Sequence, residues 1–383
     1  MLIINANIKT MEDEDFPKGY IFVSDGKIQS VGPMSEAPPD EDVYDACGMT
    51  LYPGFIDAHC HLGMWEDGLG FEGDDGNEET DPVTPQLRAI DAINPLDRTF
   101  REAVAGGITT VLTGPGSANS IGGQWAAIKT RGRRIDDMIL KEPIGMKFAL
   151  GENPKSVYNE KNQAPNPRMA TAALIREQLK KAQRYLEDLE RMEEDEECDE
   201  PEYDIKCEAL LPVLRREQKA FFHAHRADDI FTAIRISKEF DLDLVLCHCT
   251  EGHLIADLLK EEGCGIIAGP ILGDRSKPEL RNLERSGLAK LFEEGIHAGL
   301  CTDHPETPIQ YLPLCAGVAV GAGLDYEEAL KTITIYPARI VGIDDRVGSI
   351  KVGKDADFVL YDGDPLSPYH HPKQVFINGQ KCL

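Results

Sequence analysis

Two histidines separated by one residue, His59 and His61, are the first side chains along the chain whose type and spacing could support metal chemistry. They lie at the end of an apolar segment that begins at Phe55 and is typical of a short buried strand. Alternate residues of a strand point to the same face, so one metal ion could bind both imidazoles. A His-x-His pair alone is a weak indicator, because histidine pairs in polar loops are often structural.

Further potential ligands follow other segments that the sequence predicts to be buried strands. They are Glu152 after residues 144–151, His223 after residues 219–222, His248 after residues 242–247 and Asp303 after residues 296–302. In a parallel barrel the carboxyl ends of the strands meet at one face, where active sites form. Imidazole and carboxylate ligands suit Zn²⁺ and similar ions, and a catalytic ion keeps one position open for water. The pattern predicts a metallohydrolase with one or two divalent ions, Zn²⁺ being the expected metal.

Composition limits the class of protein and its partners. The 383 residues allow a barrel of about 250 residues and a smaller unit beside it. The net charge of −27 argues against nucleic acid or an anionic membrane as a partner, which leaves a small-molecule substrate. Ten irregularly spaced cysteines and the absence of a basic, apolar leader predict an unexported, cytoplasmic protein with reduced thiols. The composition is compatible with a homo-oligomer as well as with a monomer.

Both ends of the chain have sequence patterns that are typical of short strands. The N-terminal end contains two alternating runs around Asp25-Gly26, the strongest short hairpin signal, and residues 348–361 and 374–379 are similar runs near the C-terminus. We predict one small β-sandwich built from residues 1–50 and 344–383, beside a barrel formed by residues 51–343. Two separate β appendages are the alternative.

The middle of the chain alternates predicted strands and helices, as expected of parallel βα units. The glycine-rich and acidic composition of residues 66–81 predicts a loop over the barrel mouth. The glycine- and serine-rich composition of residues 114–123 predicts a second loop. A long helix is predicted over residues 171–197, and the acidic run over 193–204 is typical of a solvated surface.

Three segments resemble those of a known family. Residues 53–61, Pro-Gly-Phe-Ile-Asp-Ala-His-Cys-His, are similar to the first-strand signature of the amidohydrolase superfamily. Residues 106–111 resemble its second strand and residues 348–357 its closing strands. The similarity is strongest to the branch that contains imidazolonepropionase and the prolidase-type peptidases. It implies the α/β class, with a (β/α)8 TIM-like barrel, a composite β-sandwich from both termini, and hydrolysis at a centre of one or two divalent metals.

The resemblance also implies which residues bind metal. The implied ligands are His59, His61, His223, His248 and Asp303. The residue that bridges two metals is either a carbamylated lysine, here Lys147, or a glutamate as in N-acetylglucosamine-6-phosphate deacetylase, here Glu152. We favour Glu152, because a carboxylate at a strand end needs no modification.

Asp303 is the expected general base. It would take a proton from a metal-activated water and deliver it to the leaving nitrogen. A structural alternative is that Thr302 and Asp303 cap the helix predicted to follow.

Arg226 occupies the position, three residues after His223, where deaminases of the superfamily have a glutamate. Arginine stays protonated and cannot protonate leaving ammonia, so amide hydrolysis is favoured over deamination. Arg226 could bind a substrate carboxylate through a bidentate contact, or it could pair with Asp228 or Asp229. His225 could polarise the scissile carbonyl, act as a ligand, or orient one.

The sequence thus predicts a metal-dependent hydrolase of a C–N bond, in an amide, cyclic amide or dipeptide, acting on a small carboxylate-bearing substrate. Within the superfamily, an N-acetyl-sugar deacetylase or an aromatic-base deaminase is the alternative. The deacetylase interpretation gains from Glu152 but lacks a recognisable phosphate-binding cluster. A catalytically inactive scaffold barrel is the non-enzyme alternative, and the complete set of ligand types argues against it.

Overall fold

The computed structural model describes residues 1–195 and 201–383, and strands and helices alternate through most of that range. Its sixteen strands are β1 (Leu2–Ile8), β2 (Phe16–Ser24), β3 (Lys27–Pro33), β4 (Val43–Asp45), β5 (Thr50–Pro53), β6 (Phe55–Cys60), β7 (Ile108–Thr113), β8 (Ile121–Lys129), β9 (Ile139–Ala149), β10 (Lys219–Ala224), β11 (Leu244–His248), β12 (Gly265–Ala268), β13 (Gly299–Leu300), β14 (Phe358–Tyr361), β15 (Gln374–Ile377) and β16 (Gln380–Lys381). Its α-helices are α1 (Arg98–Ala105), α2 (Glu152–Glu160), α3 (Arg168–Glu194), α4 (Ile205–Glu208), α5 (Leu211–Leu214), α6 (Ala227–Phe240), α7 (Ala256–Glu262), α8 (Gly287–Glu293), α9 (Leu312–Gly321), α10 (Tyr326–Thr332) and α11 (Ile335–Val341).

One sheet combines strands from both ends of the chain, in the order β16-β15-β14-β5-β1-β2-β3, with β4 also paired to β1. The N-terminal strand β5 pairs antiparallel with the C-terminal strand β14, so the ends are not two separate appendages. The predicted hairpin is confirmed: Ser24 pairs with Lys27 across Asp25 and Gly26, which both have positive φ as this turn requires. The shared sheet is therefore established, whereas its description as a sandwich stays a prediction.

A second sheet contains β6 to β13 in consecutive order. Seven of these strands form parallel pairs, β6 with β7 and β9 through β13 in sequence. Strand β8 is antiparallel to both of its neighbours, which departs from the uniformly parallel barrel that a (β/α)8 fold predicts. The connections to it, residues 114–120 and 130–138, are too short to contain the crossover helix that a parallel pair needs.

The second sheet nearly closes into a barrel where β13 meets β6. Two backbone hydrogen bonds join the ends: the Asp303 N–H donates to the His59 carbonyl at 3.1 Å, and the His61 N–H donates to the His304 carbonyl at 2.9 Å. Alternate residues of several strands form one buried cluster, which includes Ile56, Trp125 and Phe221. The same closure brings two of the predicted ligand segments together.

The helices cover the barrel sheet. The longest, α3, ends at Glu194, before the predicted end at residue 197, and buries an apolar stripe that includes Ile175, Leu179 and Ala182. Residues 196–200 of the predicted acidic run lie outside the described residues. In the part of the chain that the structure describes, no helix combines the length and the apolar character needed to cross a bilayer.

Candidate metal centre

The predicted histidines and Asp303 converge at the carboxyl ends of the barrel strands. Their ligand atoms form two groups, each with all atoms within 4.8 Å of one another: His59, His61 and Asp303, and His223, His225 and His248. We call these the aspartate group and the trihistidine group. The two groups are neighbours, because the rings of His59 and His248 are 4.8 Å apart between centroids.

In the aspartate group the carboxylate faces two imidazole nitrogens. Asp303 Oδ1 lies 3.3 Å from His61 Nε2 and 3.5 Å from His59 Nε2. His61 Nδ1 donates to the Gly114 carbonyl at 2.7 Å, which places the lone pair of a neutral ring on Nε2, toward Asp303. The Asp303 carboxylate thus contacts the two histidines, as a shared ligand site requires.

The charges in the aspartate group suit a cation. Burial, followed by the nearby Lys147 charge, lowers the pKa of His59 well below its usual range, so its ring is neutral. Burial opposes ionisation of Asp303, but the neighbouring imidazoles outweigh it and hold the pKa of that carboxyl well below its usual range. Neutral imidazole and ionised carboxylate are the forms that bind divalent metals.

All three residues of the trihistidine group are buried. His248 Nδ1 donates to the Gly269 carbonyl at 2.9 Å, and His225 Nδ1 is hydrogen-bonded to the Thr250 hydroxyl at 2.7 Å. Neither ring nitrogen of His223 has a hydrogen-bond partner among the described residues. Burial, the largest effect, lowers the pKa of all three rings. Buried nitrogens without partners fit a metal ion, which would satisfy their lone pairs.

Two of the ligand candidates have an unusual backbone. His248 and Asp303 have φ values of +71° and +53°, in the left-handed region that residues other than glycine seldom adopt. Each lies where its strand ends, so the turn directs the side chain into the site. Strained backbone of this kind concentrates at functional sites.

Lys147 and Glu152, the two candidates for a bridging ligand, occupy different places. The Lys147 side chain is fully buried on β9, with Nζ 3.2 Å from His59 Nε2 and 4.9 Å from the centroid of the Trp125 ring. Glu152 belongs to neither ligand group, because β9 ends at Ala149 and a turn at Gly151 carries the chain into α2. Of the two candidates, Lys147 is therefore the one whose side chain lies beside His59.

Arg226 makes the second of its two predicted contacts. Its Nε and Nη2 atoms donate to the two carboxylate oxygens of Asp228 at 2.9 and 2.8 Å, in a bidentate pair. The residue immediately precedes α6 and is not part of the cavity wall above the histidines. The expectation that Arg226 meets a substrate carboxylate is not supported by this placement.

A cavity of about 430 Å³ opens above the two groups. Its walls include residues from both predicted loops, 66–81 and 114–123, and from the loop after β12. They are His61, Trp65, Asn77, Glu79, Gly116, Ser117, Ala118, Asn153, Ser156, Val157, His223, Lys277, Asp303, Pro305 and Glu306. Among these described lining residues, Lys277 is the one lysine or arginine.

Three further charged residues, none of them among the predicted ligands, lie around the site. Lys277 and Glu279 lie in a loop without a recognisable motif, so only the fold shows their proximity to the histidines. Asp57 belongs to the first-strand motif, where its buried position in the strand does not by itself indicate a role. It accepts hydrogen bonds from the His59 N–H and the Thr302 hydroxyl, and burial raises its pKa to about 7. Asp57 thus connects the two strand ends that carry the aspartate group.

Comparisons with known proteins agree with this geometry. The model of the amidohydrolase family matches residues 238–382. The crystal structure of an amidohydrolase from Thermotoga maritima MSB8 is 42% identical, with a TM-score of 0.96, and the match covers 100% of this chain and 99% of that one. An imidazolonepropionase of Shewanella frigidimarina is 25% identical over 94% of this chain and 91% of its own.

The chain spans about two fifths of the length of another relative, "Amidohydrolase tasK" of Hapsidospora irregularis. It is 32% identical over 94% of this chain, but the match spans 39% of that protein's length. The similarity therefore concerns one part of that longer protein.

Proposed function

Since the chain belongs to the amidohydrolase family, we propose that it hydrolyses a C–N bond in a small carboxylate-bearing amide, cyclic amide or dipeptide. The observation that carries the proposal is the convergence of two buried ligand groups, one with an ionised aspartate, at the floor of an open cavity. A binding module or scaffold would have no chemical reason to keep neutral, partly unpartnered imidazoles there.

We assign metal binding to His59, His61 and Asp303 and, for a second ion, to His223 and His248. Lys147 replaces Glu152 as the proposed bridging residue. Burial lowers the pKa of Lys147, which favours the free amine that adds to CO₂ and releases a proton to form a carbamate. A divalent ion, with Zn²⁺ as the expected metal, would supply Lewis acidity and lower the pKa of a water.

Asp303 is the proposed general base. Its carboxylate accepts the proton of the attacking water as the oxygen bonds to the carbonyl carbon. The same carboxyl then donates that proton to the nitrogen as the C–N bond breaks, so the amine leaves neutral. The low pKa of Asp303 keeps its carboxylate ionised at neutral pH, which is the form that can accept a proton.

Lys277 is the proposed partner of the substrate carboxylate, in place of Arg226. Its Nζ lies at the wall of the cavity, donates to Asn153 Oδ1 at 3.1 Å and is 3.5 Å from Glu279 Oε1, while its side chain is 31% exposed toward the cavity. An ammonium in that position can donate a charge-assisted hydrogen bond to an acidic substrate. His225, whose Nδ1 atom is hydrogen-bonded to the Thr250 hydroxyl, is proposed either to polarise the substrate carbonyl or to act as a ligand.

The proposal is tested by assaying metal-loaded protein against N-acyl amino acids, dipeptides and cyclic amides. We expect hydrolysis of at least one class, and Asp303→Asn should lower kcat by about 100-fold or more. Asp257→Asn, an exposed acid on α7, is the matched control and should leave turnover unchanged. An inactive wild-type protein across the whole panel would contradict the proposal.

The positions of Glu152 and Arg226 weaken the case for the two alternative functions, sugar deacetylation and deamination. The sugar-deacetylase interpretation gains from Glu152 as a metal ligand, and Glu152 belongs to neither ligand group. The deaminase interpretation needs a proton donor where Arg226 pairs with Asp228. Cytoplasmic location and the absence of nucleic-acid and membrane partners remain predictions from composition, and a homo-oligomer remains open.

A further inference from the structure

Glu279, in the loop after β12, is a buried carboxylate with an incomplete set of partners. Its side chain is fully buried, and Oε2 accepts a hydrogen bond from the Glu152 N–H at 3.0 Å. Oε1 has no hydrogen-bond partner among the described residues, and the Lys277 ammonium is 3.5 Å away. A buried carboxylate oxygen that accepts no hydrogen bond is unfavourable, and the ion pair with Lys277 at 3.5 Å is too long to supply one, so Oε1 is available as a ligand for a cation.

The unpartnered oxygen faces the trihistidine group. Glu279 Oε1 lies 3.6 Å from His225 Nε2 and 3.8 Å from His223 Nε2. These separations are too long for hydrogen bonds. Two ligands that are each about 2.1 Å from one tetrahedral ion lie about 3.4 Å apart, so the spacing fits atoms that share a cation.

The carboxylate is held in this position from both sides. Glu279 Oε2 accepts from the Glu152 N–H, and Glu152 Oε2 accepts from the Glu279 N–H at 3.2 Å. This reciprocal pair fastens the loop to the first turn of α2. The arrangement makes Glu152 a residue that positions Glu279, while His225 is oriented by its hydrogen bond to Thr250.

We propose that Glu279, His223, His225 and His248 form a divalent-cation site of one carboxylate and three imidazoles, next to a separate site at the aspartate group. The proposal deepens the proposed function, because it assigns the ligands of the second ion. It differs from the ligand set expected from the resemblance by adding His225 and Glu279.

The test measures metal binding by the full-length protein without substrate. After loading with Co²⁺ and removal of the excess, bound metal is measured by elemental analysis and ligand geometry by visible absorption. We expect two ions per wild-type chain and one in Glu279→Gln, with the affinity for the second ion weakened about tenfold or more. His225→Asn should lose the same ion, whereas Asp303→Asn should lose the other.

Glu284→Gln is the matched control, since this acid follows in the same segment and is half exposed. It should bind two ions with the wild-type spectrum. Circular dichroism of each metal-free variant separates loss of a ligand from loss of the fold, and Glu279→Asp supplies a second variant that keeps the charge and should recover part of the lost affinity.

A Glu279→Gln protein that keeps both ions and the wild-type spectrum would overturn the proposal. If such a protein also hydrolyses amides, only the second site is wrong and the proposed function stands. If the wild-type protein binds both ions as expected but hydrolyses no substrate, the second site stands and the proposed function fails.

Discussion

At the scale of single residues, backbone carbonyls orient the candidate ligands. His61 and His248 each donate from Nδ1 to a carbonyl, of Gly114 and Gly269 respectively. In a neutral ring, each bond places the lone pair on Nε2, so the ring is prepared for a cation before it arrives. Asp57 also helps to position His59, because its carboxylate accepts a hydrogen bond from the His59 N–H.

Lys147→Met should reduce both metal content and kcat/KM, the latter by about 100-fold or more, because the variant removes the proposed bridging group at His59. Elemental analysis and steady-state kinetics measure the two effects. A carbamate signal from ¹³C-labelled bicarbonate in the NMR spectrum should be present in the wild type and absent in this variant.

Lys141→Met is the control for Lys147, because Lys141 lies on the same strand β9 with an exposed side chain. It should keep wild-type metal content and activity. Normal metal content in Lys147→Met would remove Lys147 from the proposed centre.

Lys277→Met should raise KM for carboxylate-bearing substrates about 10- to 100-fold, since a hydrogen bond to a charged group contributes about 1.5–3 kcal/mol. The uncharged amide of the same substrate should be affected much less. Arg226→Met is the control and should change neither KM, because Arg226 is paired with Asp228 away from the cavity. Equal changes for acidic and neutral substrates would contradict this role for Lys277.

At the scale of elements, the antiparallel strand β8 supports the floor of the site. Its residue Trp125 packs 4.3 Å from the His59 ring and beneath the Lys147 ammonium. The loop before β8 contains Gly114, and a Cβ added there would lie 2.1 Å from a Trp125 ring atom. Close packing of a tryptophan against glycine thus couples the loop to the ligands.

Gly114→Ala should destabilise the protein by about 2 kcal/mol, because the new methyl group would displace Trp125. It should also weaken metal binding, since the Gly114 carbonyl orients His61. Denaturant unfolding and metal titration measure these effects. In Gly321→Ala, where a Cβ meets no described atom within 4 Å, both properties should be unchanged or slightly improved.

At the scale of the whole molecule, a buried ion cluster joins the terminal sheet to the barrel. Asp355 pairs with Lys27 of β3 at 2.5 Å, with Lys129 of β8 at 3.0 Å and with Arg346 at 2.9 Å, while Lys129 also contacts Asp357. Burial opposes the Asp355 charge, but Arg346, Lys129 and Lys27 outweigh it and lower the pKa to about 2. The cluster therefore favours one arrangement of the two sheets.

Asp355→Asn should lower the free energy of unfolding at pH 7 by about 3 kcal/mol, because it removes a buried carboxylate that pairs with Lys27, Arg346 and the buried Lys129. The folded-state pKa of Asp355 is depressed, so its stabilisation is complete above its ordinary pKa of 3.8 and declines as pH falls toward 2. Unfolding measured across pH should show the wild-type advantage shrinking in that interval.

Asp136→Asn is the control for Asp355, since its carboxylate is exposed beside an exposed arginine. A surface pair of this kind contributes little, so we expect a change within about 0.5 kcal/mol. A similar small change in Asp355→Asn would show that the buried cluster does not stabilise the arrangement of the sheets.

Much of the fold followed from local patterns. Apolar strands, the Asp25-Gly26 turn and the first-strand motif predicted a barrel, the shared sheet of both termini and the amidohydrolase family, and the family is confirmed. The antiparallel direction of β8 was missed, because its apolar residues do not specify the direction of their partners.

The sequence by itself determined the types of ligand and their places at strand ends, because strand periodicity and barrel topology send such residues to one face. Only the tertiary structure decided which of Lys147 and Glu152 reaches the histidines, and that Glu279 faces His225 while Arg226 turns away. Those choices depend on contacts between distant segments, such as the pair between Glu152 and Glu279, 127 positions apart, which no local pattern encodes.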